Sequence, residues 1–558
     1  MNNILSQALT DLIGFGPLYS RIKSPFTIPS GIVTTHPRVI AHMAKTVPQI
    51  GFLTTKTLSL EPRPGYREPI LHEYHPGCFI NAVGLANPGA RSFLEEMAPL
   101  MPLHDDKPLV VSIMGTDPQE FLECATILEP IADAFELNLS CPHVKGAGQS
   151  LGSDPKAVCA VMRLLKSRLK LPIIPKLSPN LGDLPAMARL CEEEGADGLS
   201  LINTVGPGTA TDEEGTPVLS NVNGGLSGIG VLPIGIKAVR EVSAVVSLPV
   251  IASGGIASAP DVSAYFRAGA RLFAVGSALA CMTTPGIGEY FARLEKELQT
   301  GSDRGMGRRI FGTGCRTSYS SAKVTENRPI GPDIFLLRLD EGPMCEPGSF
   351  VFLRLPGIGE KPFSPASDAP PLFLVRKVGP FTAALADLSP GDRIHIRGPY
   401  GKGFPVNTGN DSIVLVGGGT GCAPLLLAVE RTAGRVERAF FGFSAPLPAE
   451  VVTDFFMERV PNARIAIDPP GEPGEVVRIL KADLAADPSV YLRSKVFICG
   501  PKAMMAAAAA ELADKVPETP VFIAREDMMK CGIGLCGSCG TPNGLRSCVD
   551  GPVMSPQS

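Results

Sequence analysis

The chain has 558 residues, of which 44% are apolar and 19% charged, and its formal net charge is -4. This length predicts two to four domains. So small a net charge gives no indication of a basic face, and nucleic acid is not an expected partner. No run of eighteen apolar residues occurs, so no membrane span is expected. The first residues (MNNILSQALTDLIGFG) do not resemble a signal peptide. Without such a signal, the fourteen cysteines indicate a reducing, cytoplasmic location.

The first half of the chain alternates short apolar runs with helix-length segments such as DPKAVCAVMRLLKSRL. This alternation predicts parallel strands joined by helices, and eight such runs predict a (β/α)8 barrel within an α/β protein. The longer gap after the second run predicts additional elements there. The predicted strands are FTIPSG (26–31), GFLTTK (51–56), LVVSIMG (109–115), AFELNLS (134–140), PIIPKLS (172–178), GLSLINT (198–204), PVIASGG (249–255) and LFAVGS (272–277).

Several of these predicted strands end in residues suited to chemistry, at the carboxyl ends where the active sites of such barrels lie. The last two strands end in Gly254-Gly255 and Gly276-Ser277, which suits the phosphate site that this barrel forms there, although tight turns alone would also use glycine. Flavin mononucleotide (FMN) fits such a site, and a cationic Lys176 could stabilise its anionic reduced ring. The residues at the strand ends are Lys56, Asn138, Cys141, Lys176, Asn203 and Thr204.

Six motifs follow one another in the order known from one enzyme family: LTTKTLSLEPRPG, INAVGLANPG, ELNLSCPHVKG, LINT, GGLSG and ASGGI. From about residue 20 to residue 295 the sequence resembles the dihydroorotate dehydrogenases, specifically the soluble class with a cysteine base. The resemblance implies that Lys56, Asn81, Asn138, Asn203 and Thr204 bind the pyrimidine. It implies that FMN contacts Ser30, Gly31, Lys56, Lys176, Gly228, Gly254, Gly255, Gly276 and Ser277.

Cys141 is the predicted catalytic base. Oxidation of a dihydropyrimidine requires a proton to leave C5 and a hydride to leave C6 for flavin N5, so the protein has to supply only a base and positioning. A free thiol titrates at about pH 8.5 and can act near neutral pH, whereas a cysteine after a strand is more commonly an inert buried residue. The nearby Gly146, Gly148 and Gly152 predict a mobile lid.

His143 departs from the dihydroorotate dehydrogenase pattern, in which asparagine commonly follows the Cys-Pro pair. A histidine there resembles the dihydropyrimidine dehydrogenases, which share the barrel and act on uracil and thymine, and it also occurs in some microbial dihydroorotate enzymes. His143 could donate a hydrogen bond to the substrate or order its own loop. The sequence therefore defines the reaction type better than the substrate.

Near residue 320 the pattern changes to short strands in which apolar and polar residues alternate, as in a small antiparallel barrel. Within it, KPFS, VGPFT and GDRIHIRGPYGKGF resemble the flavin-binding lobe of the ferredoxin-reductase superfamily. Lys361 stands where the superfamily motif Arg-Pro-x-Ser has arginine, so the positive charge is kept but the bidentate fork is lost. The resemblance implies contacts to FAD from Lys361, Pro362, Phe363, Ser364 and Thr382.

The run SIVLVGGGTGCAPLLLAVERTA predicts a strand, a glycine turn and a helix, a layout in which backbone N–H groups can meet a pyrophosphate. Together with VFICGPKAMM it resembles the nicotinamide lobe of the same superfamily, and NAD is favoured over NADP from the family alone. The residues implied in dinucleotide binding are Gly417, Gly418, Gly419, Gly421, Cys499, Gly500 and Pro501.

Four cysteines near the C-terminus follow the order C-x4-C-x2-C-x8-C: Cys531, Cys536, Cys539 and Cys548. Four thiolates on a glycine-rich loop can hold one metal centre, and the x4-x2 opening matches plant-type [2Fe–2S] proteins, although the last gap is shorter. A structural zinc knuckle also uses four cysteines, but usually as two C-x2-C pairs. With CVDGPVM, the segment resembles the cluster-binding tail of the electron-transfer subunit of NAD-linked dihydroorotate dehydrogenases.

The combined prediction is a fused, NAD-linked dihydroorotate dehydrogenase in which electrons pass from FMN through [2Fe–2S] and FAD to NAD+. The alternatives are an NADH-dependent enzyme that reduces uracil or thymine, and a zinc-stabilised flavoprotein that donates electrons to an external partner. The expected partners are a pyrimidine, NAD and a second copy bound through the barrel. The predicted boundaries are 1–300 for the FMN barrel, 301–319 for a junction, 320–408 for an FAD-binding β-barrel, 409–515 for an NAD-binding α/β lobe and 516–558 for the [2Fe–2S] tail.

Overall fold

The computed structural model describes residues 4–139, 151–300, 317–407, 411–432, 434–448, 451–469 and 474–556. The chain divides into two compact units, and the cysteine-rich C-terminal segment is split between them. The first unit comprises Met1–Cys315 and Ile533–Arg546, and the second comprises Arg316–Gly532 and Ser547–Ser558. Within the described ranges, no helix combines the length and the apolar character needed to cross a bilayer.

The first unit is built on an eight-stranded parallel barrel. Its strands, with those of a smaller sheet, are β1 (Phe26–Thr27), β2 (Leu53–Thr54), β3 (Leu71–His75), β4 (Cys78–Asn81), β5 (Leu109–Ile113), β6 (Ala134–Asn138), β7 (Ile173–Leu177), β8 (Leu199–Leu201), β9 (Val205–Thr209), β10 (Asn223–Gly228), β11 (Val250–Ser253) and β12 (Leu272–Ala274). The barrel order is β1-β12-β11-β8-β7-β6-β5-β2, and a parallel bridge from Phe26 to Ile50 nearly closes it. All eight strands predicted from the apolar runs are present, so the predicted barrel is confirmed.

The long gap after the second barrel strand contains additional elements, as the sequence predicts. Strands β3 and β4 form a hairpin there, and they join β10 and β9 in a four-stranded sheet with the order β3-β4-β10-β9. The pairs within this sheet are antiparallel. The residue Asn81 at the end of β4 is opposite Gly225 of β10, which brings a predicted substrate residue beside the glycine-rich GGLSG motif.

Three helices of the first unit begin where a capping aspartate precedes proline. The carboxylates of Asp117, Asp154 and Asp183 each accept a hydrogen bond from a backbone N–H in the first turn, at 2.9 to 3.0 Å. Proline follows each aspartate within two residues. Proline suits this position because backbone N–H groups of the first turn have no acceptor within the helix, and proline has no N–H. The helices are Ile4–Leu12, Pro17–Ser20, Pro37–Thr46, Ala90–Met97, Pro118–Leu128, Pro155–Arg168, Leu184–Glu193, Leu232–Ser243, Ala259–Ala268 and Thr284–Thr300.

The second unit contains two sheets. Its strands are β13 (Ser320–Pro329), β14 (Ile334–Leu339), β15 (Phe350–Leu355), β16 (Gly359–Phe363), β17 (Ser367–Asp368), β18 (Pro371–Arg376), β19 (Arg393–Tyr400), β20 (Ser412–Gly418), β21 (Val436–Phe443), β22 (Ala463–Ile467), β23 (Ser494–Cys499), β24 (Val521–Ala524) and β25 (Val553–Met554). The first sheet is antiparallel, with the order β16-β15-β19-β13-β14-β18-β17. The second has the order β22-β21-β20-β23-β24-β25 and is parallel except for its last pair.

Helices accompany the parallel sheet, because parallel neighbours need a crossover connection. The helix Cys422–Arg431 follows β20 directly after the short turn Gly419–Gly421, and Lys502–Lys515 follows β23. An antiparallel sheet followed by an α/β lobe agrees with the fold class predicted for this half of the chain. The helices of the unit are Pro380–Ala386, Cys422–Arg431, Glu475–Ala486, Pro488–Leu492, Lys502–Lys515 and Ser547–Asp550, with a π-helical turn at Val452–Met457.

Candidate active site

A cavity of about 940 Å³ lies at the carboxyl ends of the barrel strands in the first unit. It brings together every predicted FMN and substrate residue that falls within the described residues. Cys141 and His143 lie outside those residues, as do Gly146 and Gly148 of the predicted lid. The predicted residues that line the cavity are Ser30, Gly31, Lys56, Asn81, Asn138, Lys176, Asn203, Thr204, Gly228, Gly254, Gly255, Gly276 and Ser277.

Glycines form one wall of this cavity because their backbones approach one another too closely for side chains. Gly254 and Gly255 have φ angles of +115° and +79°, a region that favours glycine. A Cβ atom on Gly255 would lie 2.8 Å from the carbonyl oxygen of Gly228. Such a wall exposes main chain rather than side chains to a ligand, and the sizes of the cavity and of FMN are compatible. The residues present therefore fit a flavin phosphate at the predicted place.

Replacing Gly228 with alanine is expected to destabilise the barrel and to reduce bound flavin. Gly228 has φ of +90°, and an added Cβ would lie 2.0 Å from the carbonyl oxygen of Gly77. Strain and overlap together should cost about 2 kcal/mol or more. The measurements are the thermal unfolding midpoint and the flavin content per purified chain. The matched control is Gly288→Ala in the helix Thr284–Thr300, where the nearest atom to an added Cβ is 3.7 Å away. The control should keep its flavin, and equal behaviour of the two variants would contradict the prediction.

A chain of polar side chains, all buried except the half-buried Ser30, runs from the wall of the cavity to residues beneath it. The hydroxyls of Ser30 and Thr57 share a hydrogen bond of 3.1 Å, and those of Thr57 and Ser112 share one of 3.0 Å. The Ser112 hydroxyl donates to Glu136 at 3.0 Å, and the Glu136 carboxylate lies 3.6 Å from the Lys176 ammonium. This chain holds Lys176 as one member of a buried ion pair, so its positive charge is locally balanced.

Two of the predicted substrate residues are joined to this chain. The Asn138 amide donates to the Thr57 hydroxyl at 3.2 Å, and the Asn203 amide approaches the Asn138 oxygen at 3.5 Å. These bonds orient both amides, because the nitrogen and the oxygen of each side chain have protein partners. The Asn203 oxygen also accepts a hydrogen bond from the Thr204 backbone N–H at 2.8 Å.

Lys56 is the most strongly perturbed cation of the cavity. The pKa of its ammonium is lowered to about 8, mainly by burial; Cys536 opposes this shift, and the nearby positive charge of Lys176 adds to it. At neutral pH Lys56 is therefore still mostly protonated, but it loses its proton far more readily than an exposed lysine. Its ammonium also lies against the backbone of Gly31, 3.0 Å from the place of an added Cβ atom. An anionic ligand in the cavity would favour the protonated form.

Part of the C-terminal segment belongs to the first unit and reaches this cavity. Leu535 and Cys536 are among its lining residues. The carbonyl of Leu535 accepts a hydrogen bond from the Val33 N–H at 2.7 Å, and the carbonyl of Cys536 accepts one from the Thr35 hydroxyl at 2.7 Å. These bonds to carbonyls of the segment bring one of the predicted metal ligands to the same cavity as the predicted flavin residues.

The glycines of this segment are needed for its fit against the barrel. A Cβ atom on Gly537 would lie 2.7 Å from the Val33 carbonyl oxygen, and one on Gly544 would lie 2.5 Å from the Arg38 carbonyl oxygen. The buried guanidinium of Arg546 donates to the carbonyl of Gly534 at 2.6 Å and to that of Met282 at 2.8 Å. The segment is thus anchored to the barrel through its main-chain carbonyls, its closely packed glycines and the Arg546 guanidinium.

The four predicted metal ligands are all buried thiols. Cys536 and Cys539 belong to the first unit, whereas Cys531 and Cys548 belong to the second. Sulfur ligands with little exposure suit an iron–sulfur cluster, because burial helps to set its reduction potential. The same four thiols would also suit zinc, so the chemistry of the ligands alone does not decide the metal.

The predicted FAD residues lie around one end of the antiparallel sheet. Lys361, Pro362 and Phe363 belong to β16, and Ser364 follows it directly. The ring of Phe363 stacks on Phe381, with centroids 6.4 Å apart and an angle of 24° between the planes. Phe381 belongs to the helix Pro380–Ala386, which also carries Thr382, so the two predicted motifs are neighbours.

The hydroxyl of Thr382 has a structural task of its own. It accepts hydrogen bonds from the N–H groups of Val378 and Gly379, at 2.9 and 3.1 Å, and thereby caps its helix. The sequence prediction gave Thr382 a role at FAD only through the VGPFT motif. In the structure, the Thr382 hydroxyl contacts backbone groups of the turn that precedes the helix.

The predicted dinucleotide residues meet at the carboxyl ends of two neighbouring parallel strands. Gly417 of β20 is opposite Cys499 of β23. A Cβ atom on Gly421 would lie 2.6 Å from the Gly500 nitrogen, and one on Gly418 would lie 2.9 Å from the Pro501 ring. Gly419 completes the turn with φ of +54°. In open α/β sheets, ligands bind in the crevice outside such strand ends.

Sequence reasoning did not identify three of the residues that support the site, namely Thr57, Ser112 and Glu136. Glu136 could have been found, because a carboxylate inside the apolar run AFELNLS is unusual in a buried parallel strand. Strand alternation also puts it on the same face as Asn138, two residues later. Thr57, which follows β2, and Ser112, which lies within β5, carry a weaker signal, because hydroxyl residues are less unusual in and after strands than a buried carboxylate.

Two family models match the chain. Residues 18–299, half of the chain, match the model for dihydroorotate dehydrogenase, and residues 526–557 match the model for the iron–sulfur cluster binding domain of dihydroorotate dehydrogenase B. The second match contains all four cysteines of the C-terminal motif. The two matched segments lie at opposite ends of the sequence. Within the second, residues 526–532 and 547–557 belong to the two-sheet unit and 533–546 belong to the barrel unit.

Curated relatives agree with these matches. The catalytic subunit of dihydroorotate dehydrogenase B (NAD+) from Pyrococcus horikoshii is 42% identical over 261 residues, which are 46% of this chain and 84% of the relative. The corresponding subunit from Geobacillus kaustophilus is 42% identical over 231 residues, or 41% of this chain and 73% of the relative. Dihydroorotate dehydrogenase A (fumarate) from Lacticaseibacillus paracasei is 42% identical over 232 residues, or 41% of this chain and 79% of the relative.

The matched barrel, its cavity lined by the predicted residues and the cysteine-bearing C-terminal segment are consistent with one another. The chain therefore belongs to the dihydroorotate dehydrogenase family.

Proposed function

We propose that the protein oxidises dihydroorotate to orotate in pyrimidine biosynthesis and passes the electrons through its own C-terminal half to NAD+. The observation that carries the proposal is the cavity of the first unit, which is lined both by the predicted flavin and pyrimidine residues and by Cys536 of the iron–sulfur binding segment. A cysteine of the predicted cluster beside the predicted flavin is what an internal electron relay requires.

In the proposed reaction, Asn81, Asn138, Asn203 and Thr204 bind the pyrimidine ring by hydrogen bonds, and Lys56 lies next to it and to the flavin. Cys141 takes the proton from C5 of the substrate. FMN, when bound, supplies the acceptor for the hydride from C6. The polar chain beneath the cavity fixes two of the amides before the substrate arrives, so less of the binding free energy is lost in ordering them.

Lys176 and the glycine wall are proposed to hold the flavin. Gly228, Gly254 and Gly255 present backbone to its phosphate, with Gly276, Ser277, Ser30 and Gly31 completing the contact. Lys176 offers a positive charge to the ring, and Glu136 moderates that charge as the other member of the buried ion pair. An unbalanced lysine at this depth would itself be costly to bury.

The second unit is proposed to carry the electrons from the cluster to NAD+. Cys531, Cys536, Cys539 and Cys548 would bind [2Fe–2S]. The motif Lys361–Ser364 with Thr382 would bind FAD, and Gly417–Gly421 with Cys499–Pro501 would bind the nicotinamide dinucleotide. Support comes from the glycine turn at the ends of two parallel strands and from the iron–sulfur binding match. The barrel alone does not indicate the acceptor, because NAD+-linked and fumarate-linked relatives match it equally well.

The proposal extends to the remaining expectations for partners. A second copy is expected to pair through the barrel, and NAD is preferred to NADP from the family resemblance. The boundaries of the FMN, FAD, NAD and cluster segments remain those predicted from the sequence, with Ile533–Arg546 of the cluster segment assigned to the barrel unit.

An assay of purified protein with both substrate pairs tests the proposal. Dihydroorotate with NAD+ is expected to yield NADH and orotate in equal amounts, measured by absorbance and by chromatography. Uracil or thymine with NADH should give no NADH oxidation above the blank. NADH oxidation that depends on uracil, together with no NADH from dihydroorotate, would contradict it and favour the dihydropyrimidine enzyme that His143 suggests.

A metal analysis separates the electron relay from the zinc alternative. Iron and acid-labile sulfide near two per chain, with visible absorbance beyond that of flavin, is the expected result for a [2Fe–2S] cluster. Zinc without iron would contradict the relay and would leave a flavoprotein whose electrons go to an external partner.

A further inference from the structure

A buried arginine of the second unit connects the first cysteine of the metal motif with the strand that carries the predicted FAD residues. Arg397 lies on β19, and its side chain is 1% exposed. One edge of its guanidinium donates to both carboxylate oxygens of Glu360, at 2.6 and 2.9 Å. The other edge donates to the Tyr400 hydroxyl at 2.8 Å and to the carbonyl oxygen of Cys531 at 3.1 Å.

Glu360 is the residue directly before the predicted FAD motif. It belongs to β16, as do Lys361 and Pro362, and its side chain is fully buried. Lys361 is exposed, because successive residues of a strand point to opposite faces. The Tyr319 hydroxyl donates to the Glu360 carboxylate at 2.5 Å. The outer side of this strand thus offers the predicted flavin contact, and its inner side is joined to Arg397.

The backbone next to Cys531 is held by close packing as well. Gly532 has φ of +80°, and a Cβ atom there would lie 2.9 Å from the Phe352 ring and 3.2 Å from the Tyr400 ring. The guanidinium of Arg397 lies over the Phe352 ring, 3.9 Å from its centroid. Two consecutive residues are therefore fixed: Cys531 by the hydrogen bond from Arg397, and Gly532 by close packing against the Phe352 and Tyr400 rings.

A buried arginine–glutamate pair is by itself a poor source of stability, since the desolvation of both charges offsets their attraction. Apolar residues of similar volume could fill the same space. What such residues could not do is donate a charged hydrogen bond to a backbone carbonyl while also holding a carboxylate on a neighbouring strand. That double contact requires the planar fork of arginine, which lysine does not have.

We propose that Arg397 is a positioning residue that fixes the backbone of Cys531 for the metal cluster, and that Glu360 balances its charge. The inference rests on the proposed function, in which Cys531 is a cluster ligand. It extends that function by naming the residues that tie the cluster ligand to the FAD-binding strand. Hydrogen bonds around cluster ligands and local charge are among the properties that set cluster stability and potential.

The test uses the full-length protein with three variants: Arg397→Lys, Glu360→Gln and, as the matched control, Arg338→Lys. Arg338 forms an ion pair with Glu326 on the same sheet, at 3.0 Å. The readouts are FMN content, the rate at which excess EDTA removes iron without oxygen, and the midpoint potential of the cluster from an EPR-monitored titration. FMN content reports on the barrel, so it shows whether a variant has simply misfolded.

Arg397→Lys should keep its FMN and lose iron about tenfold faster than wild type, because the charged hydrogen bond to Cys531 is gone. Glu360→Gln keeps the shape of the side chain and removes a negative charge, so the cluster potential should rise. Arg338→Lys should match wild type in both readouts. If Arg397 and Glu360 served only the stability of the fold, Glu360→Gln would leave the midpoint potential of the cluster unchanged. The inference would be overturned if Arg397→Lys released iron at the wild-type rate and Glu360→Gln had the wild-type potential.

The inference and the proposed function can fail separately. If Arg397→Lys loses FMN as well as iron, that variant has misfolded, and the cluster potential of Glu360→Gln becomes the deciding measurement: a raised potential supports the inference and a wild-type potential overturns it. If wild-type protein contains zinc and no iron, the relay is wrong, and the rate of zinc release from Arg397→Lys then tests the positioning role alone. Tenfold faster zinc release would support that role, and an unchanged rate would overturn it.

Discussion

Replacing Cys141 with serine is expected to lower dihydroorotate turnover at pH 7 by about 100-fold or more, while FMN content stays at the wild-type level. A thiol titrates at about pH 8.5, within reach of neutral pH, whereas a serine hydroxyl does not ionise in this range and is a far poorer base. FMN should be retained because the predicted flavin residues lie on other strand ends. The loss should therefore appear in kcat/KM and not in the flavin spectrum.

The pH dependence gives this prediction a second readout. In wild type, kcat/KM should rise with pH and level off once the base is deprotonated. In Cys141→Ser the plateau should be absent, because the group that titrates has been removed. Cys159→Ser, on the half-exposed side of the helix Pro155–Arg168, is the matched control and should behave as wild type. Full activity in Cys141→Ser at pH 7 would remove Cys141 as the base.

Replacing Cys536 with alanine is expected to separate the two half-reactions. Dihydroorotate should still bleach the flavin band of the barrel, because no catalytic or substrate residue is changed. NADH formation should fall by about 100-fold or more. Replacing a residue that only hydrogen-bonds a metal ligand typically lowers metal affinity or activity about 10 to 100-fold, and this change removes a ligand. Iron content should fall with it. Stopped-flow absorbance at the flavin band and at 340 nm measures the two steps separately.

The structure makes Cys536→Ala a clean test. The carbonyl of Cys536, and not its side chain, accepts the hydrogen bond from Thr35, so the segment should stay on the barrel after the thiol is removed. Cys159→Ala serves as the control for the loss of an unrelated thiol. Wild-type NADH formation in Cys536→Ala would contradict the proposed route of electrons through this segment.

The barrel could be predicted from the sequence because its strands are short apolar runs whose ends carry small and polar residues. The residues around the cavity could be predicted because motif resemblance fixes positions such as Asn138 and Gly254, and the fold then brings these distant positions together. Burial of the strands on both faces is what made the runs so apolar, and it is the reason that Glu136 stands out within one of them.

Tertiary contacts account for what the sequence did not predict. The sequence predicts a cluster-binding tail over 516–558, and within it Ile533–Arg546 belongs to the barrel unit and Cys536 lines the cavity. That arrangement depends on hydrogen bonds from the Val33 N–H and the Thr35 hydroxyl to carbonyls of the segment, which leave no pattern in the sequence. The hydrogen bond from Arg397 to the Cys531 carbonyl joins residues 134 positions apart, and it also leaves no pattern in the sequence. The roles of Cys141 and His143 remain predictions from the motif.

The most direct test of the electron relay is anaerobic reduction of the purified protein by dihydroorotate, followed by addition of NAD+. Dihydroorotate alone is expected to bleach the flavin absorbance and to give the EPR signal of a reduced [2Fe–2S] cluster. Adding NAD+ should then restore the oxidised spectra as NADH appears at 340 nm. Bleaching of flavin without any cluster signal, with no NADH after NAD+ is added, would contradict the account.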